Sequence, residues 1–391
     1  MDIAILSNKL NSDGGGSNIS LHLMANYLIE RGHQVKIITF NVFGENNIPA
    51  DHRYDVEPYP TQSHKLAYKF PKKLQEIDDE FDVFHIFEPL LAPFGGIYKK
   101  TGGETPVVCR LNAYSMFCSN AEEMDGECHK NCTIRDKFAH DKGSLKTRVS
   151  RSPYYIARNY APPALVNNID MFFAISPQIK GVYTENGIDG DLVRIIPNFY
   201  NPEFIRRDSI ESSIPSSEKN ILFVGRLRNE KGVDILMDAL SSIDESIRVD
   251  IVGNGPRREA LEQTAEVLPQ DVHFHGWIDH EKLPQYYDDS DMFIHAGRWP
   301  EPFGRTILEA LQHQCPPVVS NIGAPPWIIS DAGESFENKN PVSLAQSVNR
   351  LFDENLLPEK KKACEKRLTK FEPERVIDKL EKSYQEVQNT P

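Results

Sequence analysis

Trp299-Pro300-Glu301-Pro302-Phe303-Gly304-Arg305-Thr306-Ile307-Leu308-Glu309-Ala310 sets two carboxylates, Glu301 and Glu309, eight positions apart around a Pro-Phe-Gly turn that opens a helix. Glu301 falls on the approach loop and Glu309 inside the helix. Gly304 and the free amides of the first helical turn lie between them. Carboxylates accept hydrogen bonds from hydroxyls, and helix-start amides receive phosphate. The layout therefore suits a polyhydroxylated, anionic ligand.

Outward from this segment, short β-type runs alternate with helical patterns, which implies parallel sheets with crossover helices. In the first half the expected strands are Asp2–Leu6, Gln34–Thr39, Asp82–Ile86, Pro106–Leu111, Asp170–Ser176 and Leu192–Ile196. Ser17–Arg31 reads as an amphipathic helix closed by Gly32. The second half opens with a strand at Ile221–Gly225. It continues with strands near Arg248–Val252, Val272–His275, Met292–His295 and Pro317–Ser320. Pro197–Glu218, rich in Pro, Asn and Ser, has no strong period and holds the linker. The expected organisation is a first domain over 1–200, a linker over 201–218 and a second domain over 219–372. A last helix within 373–391 is expected to cross back onto the first domain. Both domains read as doubly wound and Rossmann-like, facing across a cleft at the carboxyl ends of their sheets.

A chain of 391 residues exceeds one ordinary core, which agrees with two domains. The 39% hydrophobic and 26% charged fractions describe a globular protein. No apolar run reaches about 18 residues, and Met1–Leu6 reads as a buried strand instead of a signal peptide. Six cysteines are too few for a disulfide scaffold, so a cytoplasmic chain with reduced thiols is expected. A net charge of −13 argues against nucleic acid as a partner. Two stretches run the other way: His64–Lys73 is basic and aromatic, and Arg135–Arg158 holds Lys137, Lys142, Lys146, Arg148 and Arg151.

Three further motifs carry chemistry. Asp13-Gly14-Gly15-Gly16-Ser17-Asn18 joins the first strand to the first helix, where glycines permit close backbone approach and the helix start favours an anion. It lacks the G-x-G-x-x-G spacing of a dinucleotide fold and the Lys-Ser/Thr of a P-loop. An ordinary strand-to-helix turn is the plainer alternative. Val224-Gly225-Arg226-Leu227-Arg228-Asn229-Glu230-Lys231-Gly232 places two cations, Arg226 and Lys231, on the loop leaving a strand, where they suit a diphosphate. Val252-Gly253-Asn254-Gly255-Pro256 is a second glycine-rich loop in the same half.

The ordered set VGRL…KG, VGNGP, HGW, EPFG…LEA and PVVSNIG resembles retaining glycosyltransferases of family 4, glycosyl transferases group 1, which have the GT-B fold. GGGSN, Arg31–Val35, Asp82–His85 and Val193–Asn198 extend the resemblance over nearly the whole chain. It implies transfer of a hexose-type sugar from a nucleotide diphosphate sugar to an acceptor hydroxyl. Glu301 would contact the transferred sugar, Glu309 the nucleotide ribose, and Arg226 and Lys231 the diphosphate. Backbone amides at Phe303 and Gly304 would join them, with Arg305, Gly15, Gly16, Gly253 and Asn254 in the donor-binding set. No metal or cofactor is required, because cations and amides stabilise the leaving diphosphate. Two other readings remain open: another GT-B sugar-nucleotide enzyme of epimerase type, and a non-catalytic sugar-nucleotide-binding protein.

The chain departs from the family pattern at three places. Asn112 stands where members commonly carry a His near the transferred sugar; His85, at the end of the preceding strand, is a second candidate sugar contact, with a structural role as the plainer alternative. Ala324 and Trp327 replace a usual Gly and Glu, and His295-Ala296-Gly297-Arg298 replaces the usual Pro-Ser. Cys118, Cys128 and Cys132, spaced C-x9-C-H-x2-C with His129 among them, offer a tetrahedral zinc set with Cys109 or His129 as the fourth ligand. That spacing lacks a paired C-x2-C, and a redox-inert cluster is the alternative. The basic stretches fit a solvated face or an anionic membrane surface, with a lipid-linked or cell-surface glycan precursor as acceptor.

Overall fold

The computed structural model describes residues 1–8, 10, 15–40, 51–61, 65–117, 133–140, 144–146, 148–149, 164–205, 219–243, 246–352 and 356–389. These fall into two compact units: Met1 to Asn198 together with the chain from Pro373 onward, and Phe199–Glu372.

The first unit is built on seven parallel strands: β1 (Asp2–Ser7), β2 (Gln34–Thr39), β3 (Asp55–Pro58), β4 (Val83–Ile86), β5 (Val107–Leu111), β6 (Met171–Ala174) and β7 (Val193–Ile195). Their order is β3-β2-β1-β4-β5-β6-β7. Ile3, Ala4, Ile5 and Leu6 are all fully buried, as both faces of a central parallel strand must be. The helix Gly16–Glu30 follows β1, and its end is closed by Gly32, whose N–H and that of His33 return to the Ile29 and Leu28 carbonyls. Ser176 caps the helix Pro177–Glu185 by accepting from the Ile179 N–H at 3.2 Å, with Pro177 in the first turn.

The C-terminal helix Pro373–Gln388 belongs to this unit. Val376, Leu380, Tyr384 and Val387 form its buried stripe at helical spacing. Arg31 pairs with Glu374 at 2.6 Å, and His33 Nε2 lies 2.8 Å from Glu381 Oε1.

The second unit holds six parallel strands: β8 (Lys219–Val224), β9 (Ile247–Val252), β10 (Asp271–Gly276), β11 (Met292–His295), β12 (Pro317–Ser320) and β13 (Glu334–Phe336). Their order is β10-β9-β8-β11-β12-β13. The core beneath the sheet is aliphatic: Ile221, Leu236, Val249, Ile251, Ile294 and Val318 pack together. Phe204 is buried against His280, Tyr287 and His313, so residues assigned by the sequence reading to the linker pack within this unit.

β3 and β13 are edge strands that the sequence reading does not name. No helix among the described residues is long and apolar enough to cross a membrane. Two cations of the first basic stretch are engaged locally, Lys73 with Glu57 at 2.6 Å and Lys72 with Glu76 at 3.6 Å. Of the second stretch, residues 141–143, 147 and 150–158 lie outside the described residues.

Candidate functional site

In the second unit the winding reverses between β8 and β11, and open α/β sheets take ligands beyond the carboxyl ends of the strands at such a reversal. The candidate pair meets there. After β8, Asn229–Lys231 makes a single 3-10 turn ended by Gly232 at φ 65°. A Cβ on Gly232 would lie 2.0 Å from the Ala296 carbonyl oxygen, so glycine is what lets this turn dock on the loop after β11. The Arg298 N–H fastens the same contact by donating to the Glu230 carbonyl at 2.9 Å. Lys231 Nζ then lies 2.8 Å from Glu301 Oε2. His295, the last residue of β11, points Nε2 at the same oxygen from 4.0 Å.

Glu301 is held from the other side by the loop after β12. The Ala324 N–H donates to the Glu301 carbonyl at 3.0 Å, and Gly323, at φ 76°, packs directly on the Pro300–Glu301 backbone. Burial alone would raise the Glu301 carboxyl, but the Lys231 ammonium and His295 outweigh it and hold it below its ordinary value. Burial pushes His295 down to about 4; Glu301 opposes that fall and Lys231 adds to it, so the imidazole is neutral at pH 7. Its Nδ1 is buried with no hydrogen-bond partner among the described residues.

Glu309 serves a different cluster. It lies in the helix Arg305–Gln312 that Gly304 starts, and it is 7% exposed. Its Oε2 accepts from Tyr287 Oη at 3.0 Å, and its Oε1 lies 3.1 Å from His280 Nε2. Burial works to raise this carboxyl too, and the bond from His280, with Arg305 and Tyr287, brings it below the usual range. Glu309 and Arg305 border a small pocket with Tyr200, Phe204, His280 and Gln312.

Arg226 is exposed and no ion pair engages it among the described residues. Phe303 is 3% exposed and its ring packs edge-on against Trp327 and Phe371. Gly253 and Asn254 brace the neighbouring loop. A Cβ on Gly253 would sit 1.9 Å from the Gly225 carbonyl oxygen, and the Asn254 carbonyl accepts the Leu227 N–H at 3.0 Å.

In the first unit Gly15 and Gly16 stand at the start of the first helix. Asn112 Nδ2 ties that start to the sheet, donating to Ser17 Oγ at 3.2 Å and to the Phe87 carbonyl at 2.9 Å. His85 requires a correction: it is fully buried among Phe87, Phe173 and Tyr384, so its side chain offers a ligand nothing. Its Nδ1 lies 2.6 Å from Tyr384 Oη, and burial, with Arg110 nearby, pushes the imidazole well below its usual value. Sequence reasoning passed over Glu88, just after β4. Its carboxylate accepts from Ser7 Oγ at 2.8 Å and from the Asn8 N–H at 3.0 Å, and burial raises it to about 7. Cys118, Cys128, Cys132 and His129 lie outside the described residues. Cys109 is buried in β5, and no group of three or more metal-ligating side chains occurs among the described residues.

Two family models together match residues 14–371 of this chain, Glycosyltransferase Family 4 over residues 14–204 and Glycosyl transferases group 1 over residues 204–371. The chain belongs to glycosyltransferase family 4. The glycosyltransferase is 27% identical to an uncharacterized glycosyltransferase of Methanocaldococcus jannaschii over 354 residues, 87% of this chain and 86% of that protein. It is 26% identical to the GPI3 subunit of phosphatidylinositol N-acetylglucosaminyltransferase of Saccharomyces cerevisiae over 375 residues, 90% of this chain and 75% of the other. Anabaena HepE in complex with UDP superposes with a TM-score of 0.72 at 17% identity, over 99% of this chain and all of that one. These likenesses agree with a GT-B glycosyltransferase of two parallel-sheet, Rossmann-like domains.

Proposed function

We propose that this glycosyltransferase moves a hexose-type sugar from a nucleotide diphosphate sugar to an acceptor hydroxyl with retention of configuration and without a metal. The observation that carries the reading is the Lys231–Glu301 contact of 2.8 Å at the winding reversal of the second sheet. Lys231, joined by the exposed Arg226, turns to the diphosphate when donor enters and stabilises the charge that develops on it as the glycosidic bond breaks. The amides of Phe303 and Gly304 add to that grip. Glu301, freed from Lys231, accepts hydrogen bonds from the transferred sugar and faces the positive charge growing at its anomeric carbon. Glu309 accepts from the ribose hydroxyls, exchanging them for its present bonds from Tyr287 and His280. As the acceptor hydroxyl attacks, the departing phosphate oxygen takes its proton; Gly15 and Gly16, at a helix start, and Asn112 are the first-unit candidates for binding.

A lipid-linked or cell-surface glycan precursor is the acceptor class we favour, and the inner face of a membrane the place. The basic stretches Lys65–Lys73 and Arg135–Arg158 and the yeast relative named for phosphatidylinositol support this. Replacing Glu301 or Lys231 with Ala is expected to abolish transfer, measured as nucleoside diphosphate release with acceptor, while thermal unfolding remains cooperative. Full activity in both variants would refute the assignment.

A further inference from the structure

His295 is a buried imidazole that the proposed chemistry leaves without a task. Its side chain is 9% exposed, its Nδ1 has no hydrogen-bond partner among the described residues, and its Nε2 stands 4.0 Å from Glu301 Oε2. That separation is too long for a direct hydrogen bond. It suits an inserted atom: one oxygen can lie about 2.8 Å from both ends of a 4.0 Å gap, with roughly a right angle at the oxygen. The occupant must accept from one side and donate to the other, which a hydroxyl group does. The nearby carboxylate favours the imidazole tautomer with its proton on Nε2, and burial beside Lys231 keeps the ring neutral. The neutral ring donates on this side without a second positive charge beside Lys231.

We propose that His295 and Glu301 together read one hydroxyl of the transferred sugar, with His295 Nε2–H donating to its oxygen and the Glu301 carboxylate accepting its hydrogen. The proposal rests on the donor-site reading above and adds to it a specificity determinant. Glu301 alone accepts from any hydroxyl within reach. A donor fixed on the opposite side demands one hydroxyl at one position, and a sugar lacking it leaves both groups buried and unpaired.

The test is a calorimetric panel of UDP-glucose, GDP-mannose and ADP-glucose, followed by the monodeoxy analogues of whichever binds best. For the parent chain, one deoxy analogue is expected to bind roughly 10- to 100-fold more weakly than the others. His295→Phe, which fills the space without a donor, should erase that gap, and His295→Gln, which returns an N–H, should restore part of it. Affinity for the free nucleoside diphosphate should not change in either variant, a result that a merely structural role would not give. An equal loss across all analogues, or loss of nucleoside diphosphate binding in His295→Phe, overturns the proposal. Sugar-dependent binding without any transfer would sink the enzymatic reading while leaving the His295 comparison decisive. A chain that binds no nucleotide sugar removes both.

Discussion

Gly323 should control activity without touching a ligand. It sits in the loop after β12 at φ 76°, a backbone region that costs an L-residue roughly 1–2 kcal/mol. A Cβ there would lie 2.6 Å from Glu301 N, 2.7 Å from Glu301 O and 2.7 Å from Pro300 C. Comfortable contacts begin near 3.5 Å, so in Gly323→Ala the Glu301 backbone retreats by roughly 1 Å. A displacement of that size at a reacting group costs about 100-fold in rate. Strain and contact together are expected to remove about 2 kcal/mol, a fall of roughly 4–8 °C in Tm. The assay is kcat/KM for transfer beside a thermal melt. Gly181→Ala is the control: it lies in the helix Pro177–Glu185 with nothing within 4 Å of its Cβ, and it should gain up to about 1 kcal/mol with unchanged kinetics. Wild-type kcat/KM in Gly323→Ala would refute the idea that this loop holds Glu301 in place.

Two further outcomes concern stability. Tyr384→Phe deprives the His85 ring of its 2.6 Å contact and leaves the buried imidazole unpaired, at a cost of about 1–3 kcal/mol by urea denaturation; adding His85→Phe should recover part of it, and additive losses would exclude the pairing. Because the folded pKa of His295 is depressed to about 4, the unfolded chain binds that proton first; stability should fall below pH 6.5 by about 1.4 kcal/mol per unit until about pH 4. His295→Asn should remove that share of the slope in pH-dependent melts, while an unchanged slope would show the group is not buried neutral.

The central strands were legible because both faces are covered, which writes a continuous apolar run into Ile3–Leu6 or Met292–Ile294. β3 and β13 carry no such run: Asp55-Val56-Glu57-Pro58 and Glu334-Ser335-Phe336 are short, half-polar edges that local pattern does not separate from loop. The EPFG segment announced Glu301 and Glu309 together, yet spacing along a chain does not specify partners. Lys231 comes to Glu301 from 70 residues away, and Tyr287 to Glu309 from 22. His85 meets the same limit. A histidine ending a strand leaves a ligand contact and a packing role both open until the helix that buries it is known, and Tyr384 lies 299 residues downstream. His295 showed in sequence only as a departure from the family pattern; its unpaired nitrogen is a property of packing.

The return of Pro373–Gln388 to the first unit makes Phe199–Glu372 an insertion within its host. On the ribosome the inserted unit has its whole sequence available first. The host waits for its last nineteen residues, Pro373–Pro391, and until they emerge the ring of His85 lacks Tyr384 and Arg31 lacks its carboxylates. Synthesis order and completion order are therefore reversed between the two: the host unit starts first and is completed only after the unit inserted in it.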